Sequence, residues 1–178
     1  MSSALPPETD EPIFTPEAMQ KLVAHLWNAR KNPQAGSALL YTVLGAFVGL
    51  RPVEATELDW KAFDWTERRI KLLTGAANVE RIVPMQENFF QFMQPYQNRK
   101  GLVVIHKKVA MILREYCKEA GVPHIPNGLR RSYTAYRLAE TPLEIVQAET
   151  GMDEAMLKAK FSTPPSVDVA RQYWAIQP

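Results

Sequence analysis

Apolar positions recur with a helical period along most of the chain and with a period of two over one short stretch. Thr15-Pro16-Glu17 reads as an N-cap, a proline at the first helical position and an acid in the first turn. Leu22, Val23 and Leu26 carry that helix to about Arg30. After Asn32-Pro33 a second helix is expected over 35–48, apolar nearly all round and therefore central to the core. Gly49 ends it, and Pro52 opens a short helix closing near Leu58.

The period then changes. Residues 61–65, 69–73 and 80–84 read as three short strands, separated by turns at 66–68 and 74–78. Helical spacing returns over 87–93, 107–120, 127–139, 142–150 (stopped by Gly151) and 153–161, and Ser166 caps a last helix over 167–174. The expected fold is mainly α with a small three-stranded antiparallel β-sheet. Residues 14–178 form one domain, behind a Pro-, Glu- and Ser-rich lead-in at 1–13 that is expected to be flexible.

Composition narrows the class. At 178 residues, 46% hydrophobic and 22% charged, the chain is long enough for one good core and has the balance of a globular protein. The longest apolar stretch, 38–50, is too short to span a bilayer, and the acidic N-terminus lacks the features of a signal peptide, so a cytoplasmic location is expected. Lone Cys117, on an amphipathic helix, is expected to be a packed thiol. His25, His106 and His124 lie apart without metal-ligand spacing, and no glycine-rich phosphate loop or nucleophile elbow occurs, so neither a metal nor a small-molecule cofactor is expected. Net charge is only +2, but basic residues cluster at Arg68-Arg69-Lys71, Arg99-Lys100, Lys107-Lys108 and Arg130-Arg131, each of which taken alone is a solvated face.

Two arginines stand at helix junctions, where free N–H groups and the helix dipole favour anions. Arg51 lies between the apolar helix and the Pro52 helix, with a surface ion pair to Glu54 or Glu57 as the plainer alternative. Arg130 opens the helix after Pro126-Asn127-Gly128, where Asn127 is expected to cap and a guanidinium fork suits a phosphate. Tyr133 and Tyr136, further along that helix, are expected in the core or a groove wall.

The segments Val48-Gly49-Leu50-Arg51-Pro52-Val53-Glu54, Arg81-Ile82-Val83-Pro84 and Asn127-Gly128-Leu129-Arg130-Arg131-Ser132 resemble, in order and spacing, the first arginine box, the sheet strand and the second arginine box of the tyrosine recombinase (phage integrase) catalytic domain. The resemblance spans 14–178. It implies DNA integration or recombination as the activity and double-stranded DNA as the partner, with a homo-oligomer or a recombinase as protein partner. In that chemistry two arginines bind the non-bridging oxygens of a phosphodiester while a tyrosine attacks, and no metal is used.

Measured against that pattern, the chain has lost most of the catalytic set. The hairpin lysine position aligns near Ala76, with Lys71 on the preceding strand as the nearest lysine. Asn127 and Arg131 replace the two histidines of the second box, Gly151-Met152 replaces a Gly-His/Trp pair, and Phe161 stands at the nucleophile position. Arg51 and Arg130 remain as a phosphate clamp, with Asn127 and Arg131 beside it, so a DNA-binding pseudoenzyme is expected. Tyr173 is the candidate substitute nucleophile, although packing of the last helix explains it more simply. A third reading is a protein-interaction domain with apolar surface around Met152, Met156 and Phe161. About 13 residues precede the first helix, so the N-terminal core-binding domain of the family is expected to be absent and DNA affinity reduced.

Overall fold

The computed structural model describes residues 12–74 and 79–178. Most of the lead-in and Ala76 lie outside the described residues. The central element is α2 (Pro33–Val48), which follows α1 (Pro16–Ala29). Thr15 caps α1 by accepting from the Ala18 N–H, and Asn32 caps α2 by accepting from Gln34 and Ala35. Pro33 is therefore the first residue of α2, two positions ahead of the expected start. Thirteen of its residues are buried, as expected of a helix apolar all round.

Beyond α3 (Pro52–Glu57) and a 3-10 turn at Trp60–Ala62 comes the sheet, β1 (Phe63–Asp64), β2 (Arg69–Thr74) and β3 (Val79–Pro84), antiparallel in that order. The first strand is only two residues long because the backbone before it closes into the 3-10 turn, which Asp59 caps at the Lys61 N–H. Among the described residues six helices complete the fold: α4 (Glu87–Met93), α5 (Val109–Glu119), α6 (Gly128–Leu138), α7 (Leu143–Thr150), α8 (Glu154–Lys160) and α9 (Val167–Trp174). α1, α4, α5 and α6 pack around α2, and α7 lies against β3. Cys117 is buried on α5, and burial pushes its thiol up to about 11.

α2 and α6 meet so closely that a Cβ on Gly45 would stand 2.7 Å from the Leu129 Cβ. Gly49 ends α2 in the left-handed region at φ 73°, and a Cβ there would stand 2.3 Å from the Tyr133 ring. Backbone strain and overpacking act together at this position. Gly49→Ala is expected to destabilise the fold by about 2–4 kcal/mol, read as a lower urea midpoint; a shift below about 1 kcal/mol would show that α6 yields to the extra methyl.

The last helix is held inside. Tyr173 is 0% exposed, donates to the Ala46 carbonyl at 2.9 Å, and stacks on Tyr136 with ring centroids 3.9 Å apart. Tyr136 in turn donates to the Phe14 carbonyl at 2.9 Å, and the Phe14 N–H donates to Ser132 Oγ at 2.9 Å. The chain's entry, α6 and α9 are thereby tied together.

Candidate functional site

The site forms where α2 ends. The left-handed turn at Gly49 lets the chain leave α2 and restart at Pro52, with Arg51 as the N-cap of α3. Glu54, three residues on, reaches back and accepts the Arg51 N–H at 2.7 Å. This fixes the carboxylate directly under the junction.

Three guanidinium groups surround that carboxylate. Arg81, from the inner face of β3, donates Nη1 to Oε1 at 3.0 Å and Nη2 to Oε2 at 2.9 Å. Arg51 Nη1 stands 3.4 Å from Oε1, the surface pair anticipated from sequence, and Arg130 Nη1 stands 4.0 Å from Oε2. Arg130 is aimed by two carbonyls: Nη1 donates to Gly49 and Nη2 to Thr150, each at 2.6 Å. Its side chain is 11% exposed and that of Arg81 5%, whereas that of Arg51 is 48% exposed. One carboxylate thus serves three cations, leaving a surplus of two positive charges beneath an exposed arginine. Such a surplus, partly desolvated, favours an incoming dianion or phosphodiester.

Electrostatics bear the crowding out. Burial first, then the charges of Arg51 and Arg81, depresses Arg130 to about 10, against the opposing pull of Glu54 and Tyr133; it remains a cation near neutrality. Burial pushes the Glu54 carboxyl up, but the Arg81 hydrogen bonds, the Arg51 N–H and the charges of Arg81 and Arg130 outweigh it and hold the group below the usual range. The contribution of Glu54 to stability is therefore present above the ordinary glutamate range and is lost as pH falls through its depressed value.

A cleft of about 640 Å³ opens beside the cluster and is lined by Arg51, Asn127, Arg130, Arg131, Met152 and Phe161 among others. The structure thus gathers five of the six sequence candidates into one place. Tyr173 is the exception: it lies in the core, and its hydroxyl is occupied by Ala46, so it reaches the site only if α9 leaves the fold. Asn127 does not cap α6 with its side chain, because its backbone sits in the left-handed region at φ 55°. Phe161 is buried with Ala135, Val146 and Leu157, so of the three apolar residues expected at the surface only Met156 is substantially exposed. Met152 offers no polar side-chain atom, and its N–H is directed to Thr150 Oγ1 at 3.2 Å. Lys71 lies exposed on the outer face of β2. Among the described residues no group of three or more His, Cys, Asp or Glu could hold a metal ion, and no helix is long and apolar enough to cross a membrane.

Sequence reasoning missed Arg81 as a site residue. The available signal was parity: it shares the inward face of β3 with buried Val83, and a charge at an inward position needs a partner. It also missed the support beneath Arg130. Glu149, buried on α7, accepts from Arg137 Nε at 2.9 Å, Arg137 Nη2 at 2.6 Å and the Tyr133 hydroxyl at 2.8 Å. This network fastens α7 to α6 and so places the Thr150 carbonyl that Arg130 grips.

No curated protein sequence matches the chain. Among solved structures, the XerA recombinase superposes with a TM-score of 0.72 at 15% identity, over 97% of this chain and 66% of that one. The integrase from mycobacterium phage Brujita gives 0.65 at 20% identity, over 100% and 62%. The Tn1549 transposon integrase in complex with circular intermediate DNA gives 0.63 at 18%, over 94% and 66%. The chain thus spans 62–66% of the length of these proteins and shares their fold. The model of the phage integrase family matches residues 13–154, a stretch that contains Arg51, Glu54, Arg81 and Arg130 and most of the domain; the chain belongs to the phage integrase family.

Proposed function

We propose that this domain binds duplex DNA by holding a backbone phosphate between Arg51 and Arg130, and that it does not cut the strand. The observation that carries the reading is the unbalanced charge of the cluster: three arginines on one glutamate, the outermost of them exposed. The DNA complex of the Tn1549 integrase, which has the same fold, supports the choice of ligand. Phe161 on the cleft wall has no hydroxyl to attack phosphorus, Met152 has no donor to offer an oxygen, and Arg131 cannot serve as a general base near neutral pH. Tyr173 is a poor substitute nucleophile, because burial raises its hydroxyl well above the usual range and Ala46 occupies it.

Fluorescence anisotropy of a labelled duplex at low and moderate salt tests the reading. The unmodified chain is expected to bind with affinity falling as salt rises, and Arg51→Ala/Arg130→Ala to bind at least roughly tenfold more weakly, with a salt slope shallower by about 1. Binding indifferent to both arginines would overturn the clamp. A covalent adduct on a nicked suicide substrate, lost in Tyr173→Phe, would overturn the claim that the strand is not cut.

A further inference from the structure

The cleft is larger and more apolar than a phosphate requires. Its volume of about 640 Å³ falls in the range of small-molecule pockets. Its charged walls are Arg51, Arg130, Arg131 and Lys160, and among the described residues no aspartate or glutamate lines it. Its apolar walls include Leu50, Leu113, Ile125 and Leu129, and Phe161 adds a ring where a tyrosine would have made that wall polar.

A second polar feature lies at the other end. Tyr41 lines the cleft, is 7% exposed, and its hydroxyl makes no hydrogen bond with the described residues. Burial raises the pKa of this hydroxyl, so it stays protonated and can donate into the cleft. Along the axis of α2, Tyr41 stands about 12 Å from Gly49, at about 1.5 Å per residue. A phosphate alone would occupy the arginine end and leave the apolar length of the cleft empty.

We propose that the cleft binds an amphipathic organic anion, with a phosphate-type head between Arg51 and Arg130, an apolar body along Leu50, Leu129 and Phe161, and a polar far end that accepts from the Tyr41 hydroxyl. The inference rests on the reading that these two arginines hold a phosphate. It adds a ligand class and a direction: the head lies at the α2–α3 junction and the tail runs back along α2 towards α5.

Isothermal titration calorimetry with inorganic phosphate and then ethyl, butyl, hexyl and octyl phosphate, each below its micellar concentration, tests it. Affinity is expected to rise about two- to fourfold per buried methylene until the cleft is filled. Arg51→Ala/Arg130→Ala is expected to abolish the whole series. Ala110→Trp introduces bulk at an exposed α5 position on the cleft wall and is not part of the clamp. It is expected to leave ethyl phosphate unchanged and to remove the gain from longer chains. An affinity independent of chain length, or a gain that persists in Ala110→Trp, would overturn the proposal. Duplex DNA titrated in parallel separates the two readings. DNA binding with a flat alkyl series sinks this inference alone, whereas arginine-dependent octyl phosphate binding without DNA binding sinks the DNA reading and supports this one.

Discussion

Glu149→Ala is expected to destabilise the domain by about 3–5 kcal/mol, a large part of the roughly 5–15 kcal/mol that holds a domain together. The carboxylate is 5% exposed and is the shared acceptor for two groups that lie away from water. Without it the Arg137 guanidinium, 14% exposed, keeps its charge with no counterion, and the fully buried Tyr133 hydroxyl loses its acceptor. Burial followed by the Glu149 charge already holds Tyr133 well above its ordinary value, so this hydroxyl cannot relieve the loss by ionising near neutrality. Glu149→Gln retains an acceptor and should cost less. Urea denaturation followed by circular dichroism measures both. A loss below about 1 kcal/mol for Glu149→Ala would mean that solvent or another side chain replaces the acceptor, contrary to a buried network. The same substitution loosens α7 from α6 and with it the Thr150 carbonyl that orients Arg130, so DNA affinity should fall even at temperatures where the variant is folded.

How much of this was legible in the sequence follows from how far apart the partners lie. The helices were readable because their signals are local: Thr15 and Ser166 cap within three residues, and Gly49 and Gly151 end helices in the left-handed conformation that glycine favours. Arg51 and Glu54 were readable for the same reason, being one helical turn apart. Arg81 was not. A charge on a strand reads as a solvent-facing residue, and the glutamate that makes its burial tolerable lies 27 positions away. The Arg137–Glu149–Tyr133 network was hidden likewise, since its members sit on two helices whose docking no local pattern encodes. Asn127 misled for the opposite reason. Its residue type suits a cap, but the turn from Ile125 into α6 demands a left-handed backbone, in which the amide makes no capping hydrogen bond. The first strand was overestimated because alternation cannot distinguish a strand from a 3-10 turn leading into one.

On the reading that the chain forms no covalent DNA adduct, Phe161→Tyr is expected to form one only when the leaving group needs no help. The side chain lies on the wall of the cleft that also contains Arg51 and Arg130, so a hydroxyl added at the end of its ring enters the space where those arginines would hold a phosphate. Attack makes an oxygen–phosphorus bond and breaks the bond to the 5′-bridging atom. With an ordinary phosphodiester the departing alkoxide must acquire a proton, and on the resemblance the family's donor positions hold Ala76, Arg131 and Met152, none of which is expected to release one readily near neutral pH. A duplex with a 5′-bridging phosphorothiolate removes that need, because the thiolate leaves as a stable anion while the phenolic proton passes to solvent. Denaturing gels should therefore show an adduct of Phe161→Tyr with the phosphorothiolate duplex and none with the ordinary nicked duplex, and Arg130→Ala in the same background should remove it by withdrawing charge from the phosphorane oxygens. Equal adduct on both substrates would mean that a proton donor is present after all. No adduct on either would mean that the clamp does not hold phosphorus against position 161, so that the geometry of the site, and not the absent hydroxyl alone, stands in the way of cleavage.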